Sequence, residues 1–124
     1  QLNCSYVPES KSGNDTSGIK VKGTLHWVNA KDCIKVQVNE YDRLFQAEDP
    51  SGEEGDFKDY INPNSLKIDE NALAEPVLKD ATIEQRFQFL RKGYFTLDLD
   101  STHERLIFNK TVGLKDSWAK EKKG

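Results

Sequence analysis

The run Arg86-Phe87-Gln88-Phe89-Leu90-Arg91-Lys92-Gly93-Tyr94-Phe95-Thr96-Leu97-Asp98-Leu99 decides how this chain is read. On an extended backbone Phe87 and Phe89 fall on one side, and Arg86 and Gln88 on the other. Gly93 interrupts the alternation and Tyr94 resumes it. Asp100-Ser101-Thr102-His103-Glu104 is polar and turn-prone, and Arg105-Leu106-Ile107-Phe108-Asn109 is the returning strand. This is a β-hairpin pattern, with residues 111–114 as an extension.

Working back toward the N-terminus, Leu66-Lys67-Ile68 reads as a short strand. Residues 71–80 fit either a short helix or extended chain, although Pro76 opposes a helix through their middle. Ile34, Val36 and Val38 alternate with outward Lys35, Gln37 and Asn39, which predicts a strand. Tyr41, Leu44 and Phe45 are expected to be buried near its end. Ile19, Val21, Gly23, Leu25 and Trp27 repeat at period two and predict another strand, with Gly23 marking a bulge or close approach. Leu2, Cys4 and Tyr6 predict one short strand. Residues 10–18 and the acidic residues 48–56 are loops. No amphipathic stretch exceeds two helical turns, and no internal repeat is present. The expected class is therefore all-β, as a barrel or sandwich.

With 124 residues, the chain has room for one compact domain or pieces of two small ones. It is 35% hydrophobic and 31% charged, and no apolar run approaches the roughly 20 residues of a membrane span. There is no signal peptide pattern. The chain contains no Met and is expected to be a fragment of a longer protein. Cys4 and Cys33 make neither a disulfide scaffold nor a zinc site, since zinc wants four ligands in close pairs. His26 and His103 have no neighbouring nucleophile. There is no phosphate loop or nucleophile elbow, so no catalytic and no metal-binding residues are expected.

The net charge of −3 argues weakly against nucleic acid, but its distribution is uneven. Residues 1–64 hold 7 Lys/Arg against 11 Asp/Glu, and from Arg105 onward 6 basic residues face 2 acidic ones. In the opening stretch, aromatics alternate with an amide and guanidinium groups. Gln88 offers a donor and an acceptor to a base edge, and Arg91 can fork onto a base or a phosphate. Unpaired RNA bases are read in this way, by edge hydrogen bonds and stacking. The same spacing also suits an ordinary strand with aromatics in the core and polar groups outside.

Six collinear runs carry a family resemblance. They are Val21-Lys22-Gly23-Thr24-Leu25-His26-Trp27-Val28, Tyr41-Asp42-Arg43-Leu44-Phe45, Ile61-Asn62-Pro63-Asn64-Ser65-Leu66 and Ala74-Glu75-Pro76-Val77-Leu78-Lys79-Asp80. Phe87 through Phe95, and Phe108 through Trp118, complete the set. Together they resemble the C-terminal region of the glutaminyl-tRNA synthetases, the bacterial form most closely. The resemblance implies two β-barrels that grip an anticodon loop. Residues 1–55 would be the later part of the distal barrel, 56–118 the C-terminal strands of the proximal barrel, and 119–124 a basic tail.

It further implies Gln88 and Arg91 beside the middle anticodon base, a uracil, with Lys115 near the loop backbone and Ser117 in the same pocket wall. Leu90 stands where the family usually has Glu, and Lys115 where Arg is frequent. Implied partners are the glutamine tRNA and an upstream catalytic domain that uses ATP and Mg in a cytoplasmic, monomeric enzyme, an aminoacyl-tRNA ligase. The fragment itself would hold no cofactor. The alternatives are a non-catalytic β-barrel interaction module, or the equivalent region of a glutamyl-tRNA synthetase of archaeal or eukaryotic type.

Overall fold

The computed structural model describes residues 3–11, 13–23 and 25–114. Among these described residues, seven strands form two sheets. Two-residue strands β1 (Ser10–Lys11) and β2 (Asn14–Asp15) pair antiparallel around Gly13. The main sheet contains β3 (Ile34–Tyr41), β4 (Leu66–Ala74), β5 (Arg86–Phe89), β6 (Gly93–Leu97) and β7 (Ile107–Val112). Their order is β4-β3-β7-β6-β5, so β4 and β5 are its edges. Among the described residues two short 3-10 helices, Phe57–Tyr60 and Pro76–Asp80, lie in the connections. The class is all-β, as expected.

The predicted β6–β7 hairpin is present, with Thr96 opposite Asn109 and Leu97 opposite Phe108. The β7 strand also pairs with β3, in parallel, setting Val38 beside Phe108 and Asn39 beside Asn109. A parallel pair needs a long crossover. Here everything from β4 to β6 is that crossover, so the sheet unites one strand from before residue 55 with four from after it.

The apolar side chains of alternate positions meet on one face. Val36, Phe95, Leu97, Leu106 and Phe108 are buried there, and Phe108 is fully enclosed. Phe87 and Phe89 pack onto them. The Phe89 ring stacks on Phe95 at 4.5 Å and meets Phe108 edge-on at 5.3 Å, while Phe87 meets Phe108 at 5.7 Å. Such aromatic pairs add about 0.5–1.5 kcal/mol beyond their buried area. This core extends into an open apolar groove of about 720 Å³, lined by Val38 and Ala72 on one side and Phe87 and Phe89 on the other.

Three sequence expectations are corrected. Residues 19–27 form no strand among the described residues, and Ile19, Val21, Leu25 and Trp27 are all more than half exposed. Cys4 and Tyr6 are likewise exposed and unpaired as strand. Alternation alone does not make a strand, because each backbone N–H and C=O still needs a partner. Tyr41 and Leu44 are exposed rather than buried, while Phe45 is partly covered against Phe57. The ambiguous stretch resolves into both states: 71–74 extend β4, and Pro76 starts a 3-10 helix whose first position tolerates its missing N–H.

Candidate nucleic-acid interface

The β5–β6 hairpin places the two central candidates. Gln88 lies on the edge strand β5, exposed and directly opposite Tyr94. Strand β5 ends in a tight turn closed by the Lys92 N–H donating to the Phe89 carbonyl at 2.9 Å. Arg91 occupies the third position of that turn with φ +66°, the one positive φ outside glycine among the described residues. This left-handed conformation costs an L-residue about 1–2 kcal/mol, and glycine is the usual occupant. A charged side chain kept at that cost is an outlier of the kind found at functional sites. Among the described residues no hydrogen bond or ion pair engages the Gln88 or Arg91 side chain. Both present their polar groups to solvent.

Gly93 fixes the turn against its neighbour. Its φ is +144°, and a Cβ there would come within 2.5 Å of the Val112 carbonyl oxygen. Only a residue without a Cβ lets β6 sit this close to β7. Lys110, on β7 opposite Phe95, reaches Glu40 on β3 at 3.4 Å and ties the strands across the sheet.

The face opposite the core carries a polar row, flanked by Ile107 beside Gln37 and by Ile68 and Leu66 on β4. Cross-strand register puts Arg86 beside Thr96, Thr96 beside Asn109, and Asn109 beside Asn39. Arg86 donates to the Thr96 hydroxyl at 3.2 Å. Asn39 donates to Asn109 Oδ1 at 2.9 Å, the Tyr41 hydroxyl donates to the same oxygen at 3.3 Å, and Gln37 donates to Asn39 at 2.8 Å. Asn109 in turn donates to Asp98, and Arg105 to Gln37. Gln37 and Asn39 are buried, yet no buried side-chain polar atom among the described residues lacks a partner. The Asp100 N–H and then the Asn109 amide hold the Asp98 carboxyl below its usual range, outweighing the opposite push of burial.

The sheet thus brings Gln88 and Arg91 together at the β5–β6 end. Lys115 and Ser117 lie outside the described residues, which end at Leu114 just beyond β7. Tyr41 and Tyr94, on the same polar face as Gln88, were not singled out from sequence as site residues. Their signal was present: Tyr41 continues the outward series Gln37 and Asn39, and Tyr94 shares parity with Thr96. No group of three or more His, Cys, Asp or Glu among the described residues could hold a metal ion. No described helix is long and apolar enough to cross a membrane.

The chain is 51% identical over 124 residues to a glutamine–tRNA ligase of Rhodopirellula baltica, covering 98% of the chain and 20% of that protein. It is 47% identical to the glutamine–tRNA ligase of Proteus mirabilis and 48% to that of Escherichia coli. Each of those matches covers 94% of the chain and 21% of the relative. The chain therefore spans about a fifth of the length of these relatives. The family model "tRNA synthetases class I (E and Q), anti-codon binding domain" matches residues 24–98, the segment that carries β3 to β6 and both Gln88 and Arg91. The chain belongs to this family of anticodon-binding domains.

Proposed function

We propose that this chain is the anticodon-reading part of a glutamine–tRNA ligase, and that Gln88 and Arg91 recognise the middle base of the anticodon, a uracil. The observation that carries the reading is an uncommitted amide on an edge strand, three residues from an arginine held at positive φ. The amide can both donate to and accept from a base edge, and the guanidinium supplies charge and a planar fork. Lys115 would contact the loop backbone as a point charge and Ser117 would line the same pocket wall.

The whole protein would join glutamine to its tRNA in a separate catalytic domain, as a cytoplasmic monomer. ATP and Mg would act in that domain. This chain has no phosphate loop, and its described residues offer no metal-binding cluster, so no step through either is assigned to it. Residues 1–55 would belong to a distal barrel and 56–118 to a proximal one, meeting where β3 joins the common sheet. The open groove beside Val38 and Phe87, and the edges β4 and β5, which have no outer strand partner among the described residues, support completion by strands from elsewhere in the longer protein.

Filter binding of the full-length protein to glutamine tRNA, and to a tRNA altered at the middle anticodon base, tests the assignment. Gln88→Ala should reduce the discrimination by about 1–3 kcal/mol, the worth of a good base-edge pair. Unchanged discrimination would remove Gln88 from the role.

A further inference from the structure

We propose that Tyr94 is a base-stacking platform for the RNA, with Tyr41 as a second platform, so that the exposed end of this face, where the two tyrosines lie, is itself an RNA-binding surface. This rests on the anticodon-reading assignment above and extends it from two residues to a face.

Four observations converge. Tyr94 lies directly across from Gln88 on the neighbouring strand, and side chains so paired have Cβ atoms about 5 Å apart. A base whose edge meets the Gln88 amide therefore has its ring within reach of the phenol. Tyr94 is 44% exposed and Tyr41 56% exposed, although both belong to strands of the main sheet. Large aromatics on a sheet are normally spent on the core, where Phe87, Phe89, Phe95 and Phe108 already sit on the other face.

Charge adds the third observation. Residues 86–97, which form the hairpin, contain Arg86, Arg91 and Lys92 and no carboxylate. That favours a phosphate backbone running along the hairpin.

The fourth is preorganisation. Tyr41 is held through its hydroxyl by Asn109, which is itself held by Asn39 and Asp98. Strand β7 alone separates β6 from β3, so the two tyrosines sit about 10 Å apart at the usual strand spacing. Two bases of one unpaired segment fit that spacing when each is splayed from its neighbour. Aromatic stacking is tolerant of base identity, so these rings supply affinity while Gln88 supplies choice.

The test uses full-length protein and glutamine tRNA carrying 2-aminopurine in the anticodon loop, whose fluorescence is quenched on stacking against an aromatic ring. Tyr94→Leu should weaken binding about 5- to 150-fold for native and middle-base-altered tRNA alike, the range expected for one lost stack, and should relieve the quench. Tyr94→Trp should deepen the quench, which keeps the proposal open to refutation if the leucine variant misfolds. Gln88→Ala, run in parallel, should change discrimination instead. Binding by Tyr94→Leu within twofold of the parent, or a quench insensitive to both substitutions, overturns the platform. If only Gln88→Ala then has an effect, the anticodon assignment stands without it. If Gln88→Ala is also silent, both fall together.

Discussion

Residues 19–27 and residues 86–97 both alternate apolar and polar side chains, yet they meet opposite fates. The later stretch forms β5 and β6, with Phe87, Phe89 and Phe95 packed on Phe108. The earlier one has Leu25 89% exposed and Trp27 78% exposed, with no strand partner among the described residues. Period-two alternation states which side chains share a face. It does not state whether a neighbouring backbone is there to accept the hydrogen bonds or a second apolar surface to cover the face.

Core substitutions should separate the two regions most widely. Phe108→Ala is expected to cost about 3–5 kcal/mol of stability, as for other fully buried phenylalanines, whereas Leu25→Ala should change it by less than about 0.5 kcal/mol. Urea denaturation followed by circular dichroism reads both. A large loss from Leu25→Ala would mean that residues 19–27 are packed after all.

The glycines give a second contrast. Gly93→Ala places a Cβ against the Val112 carbonyl at a positive φ, and should destabilise by about 1–3 kcal/mol. Gly23 has nothing within 4 Å of such a Cβ, so Gly23→Ala should leave the thermal midpoint within a degree or two. Hydrogen exchange at Val112 and Tyr94 would show whether the Gly93 variant opens the β6–β7 ladder.

Arg91→Gly should divide stability from recognition. It removes the left-handed strain and stabilises the hairpin by up to about 1 kcal/mol. In the same protein it should weaken tRNA binding in a salt-dependent way, because a guanidinium is lost. Melting and a salt titration of binding, performed side by side, would expose a variant that moves both in the same direction.

The smallest effect is expected from acid. Asp98 has its carboxyl depressed below the ordinary 3.8 by the Asp100 N–H and the Asn109 amide. A depressed folded-state value stabilises above the unfolded value, and that contribution is lost as pH falls through the folded one. Asp98→Asn should therefore flatten a small part of the stability loss below about pH 4. An unchanged acid limb would place the Asp98–Asn109 link outside the stability balance.

Much of the candidate interface is legible in the residues. Gln88 must face away from Phe87 and Phe89 on any extended backbone, and the β6–β7 hairpin follows from two apolar runs around a polar turn. The all-β class follows from the lack of any helical period, and the anticodon-binding resemblance from motifs in fixed order. All of these depend on local periodicity or on order along the chain.

Other features arise between distant segments. Nothing local pairs β3 with β7 in parallel, so the asparagine and glutamine row across the polar face is invisible until the sheet assembles. No residue type in the run marks Arg91 for a positive φ, which belongs to the tight Phe89–Lys92 turn that leads into the close approach of Gly93 to Val112 on β7. Tyr41, expected to be buried near the end of its strand, is 56% exposed. It lies on the face opposite the core, where its hydroxyl donates to Asn109 on β7. Side-chain parity is a property of one strand, whereas exposure depends on what the neighbouring strands bring to each face.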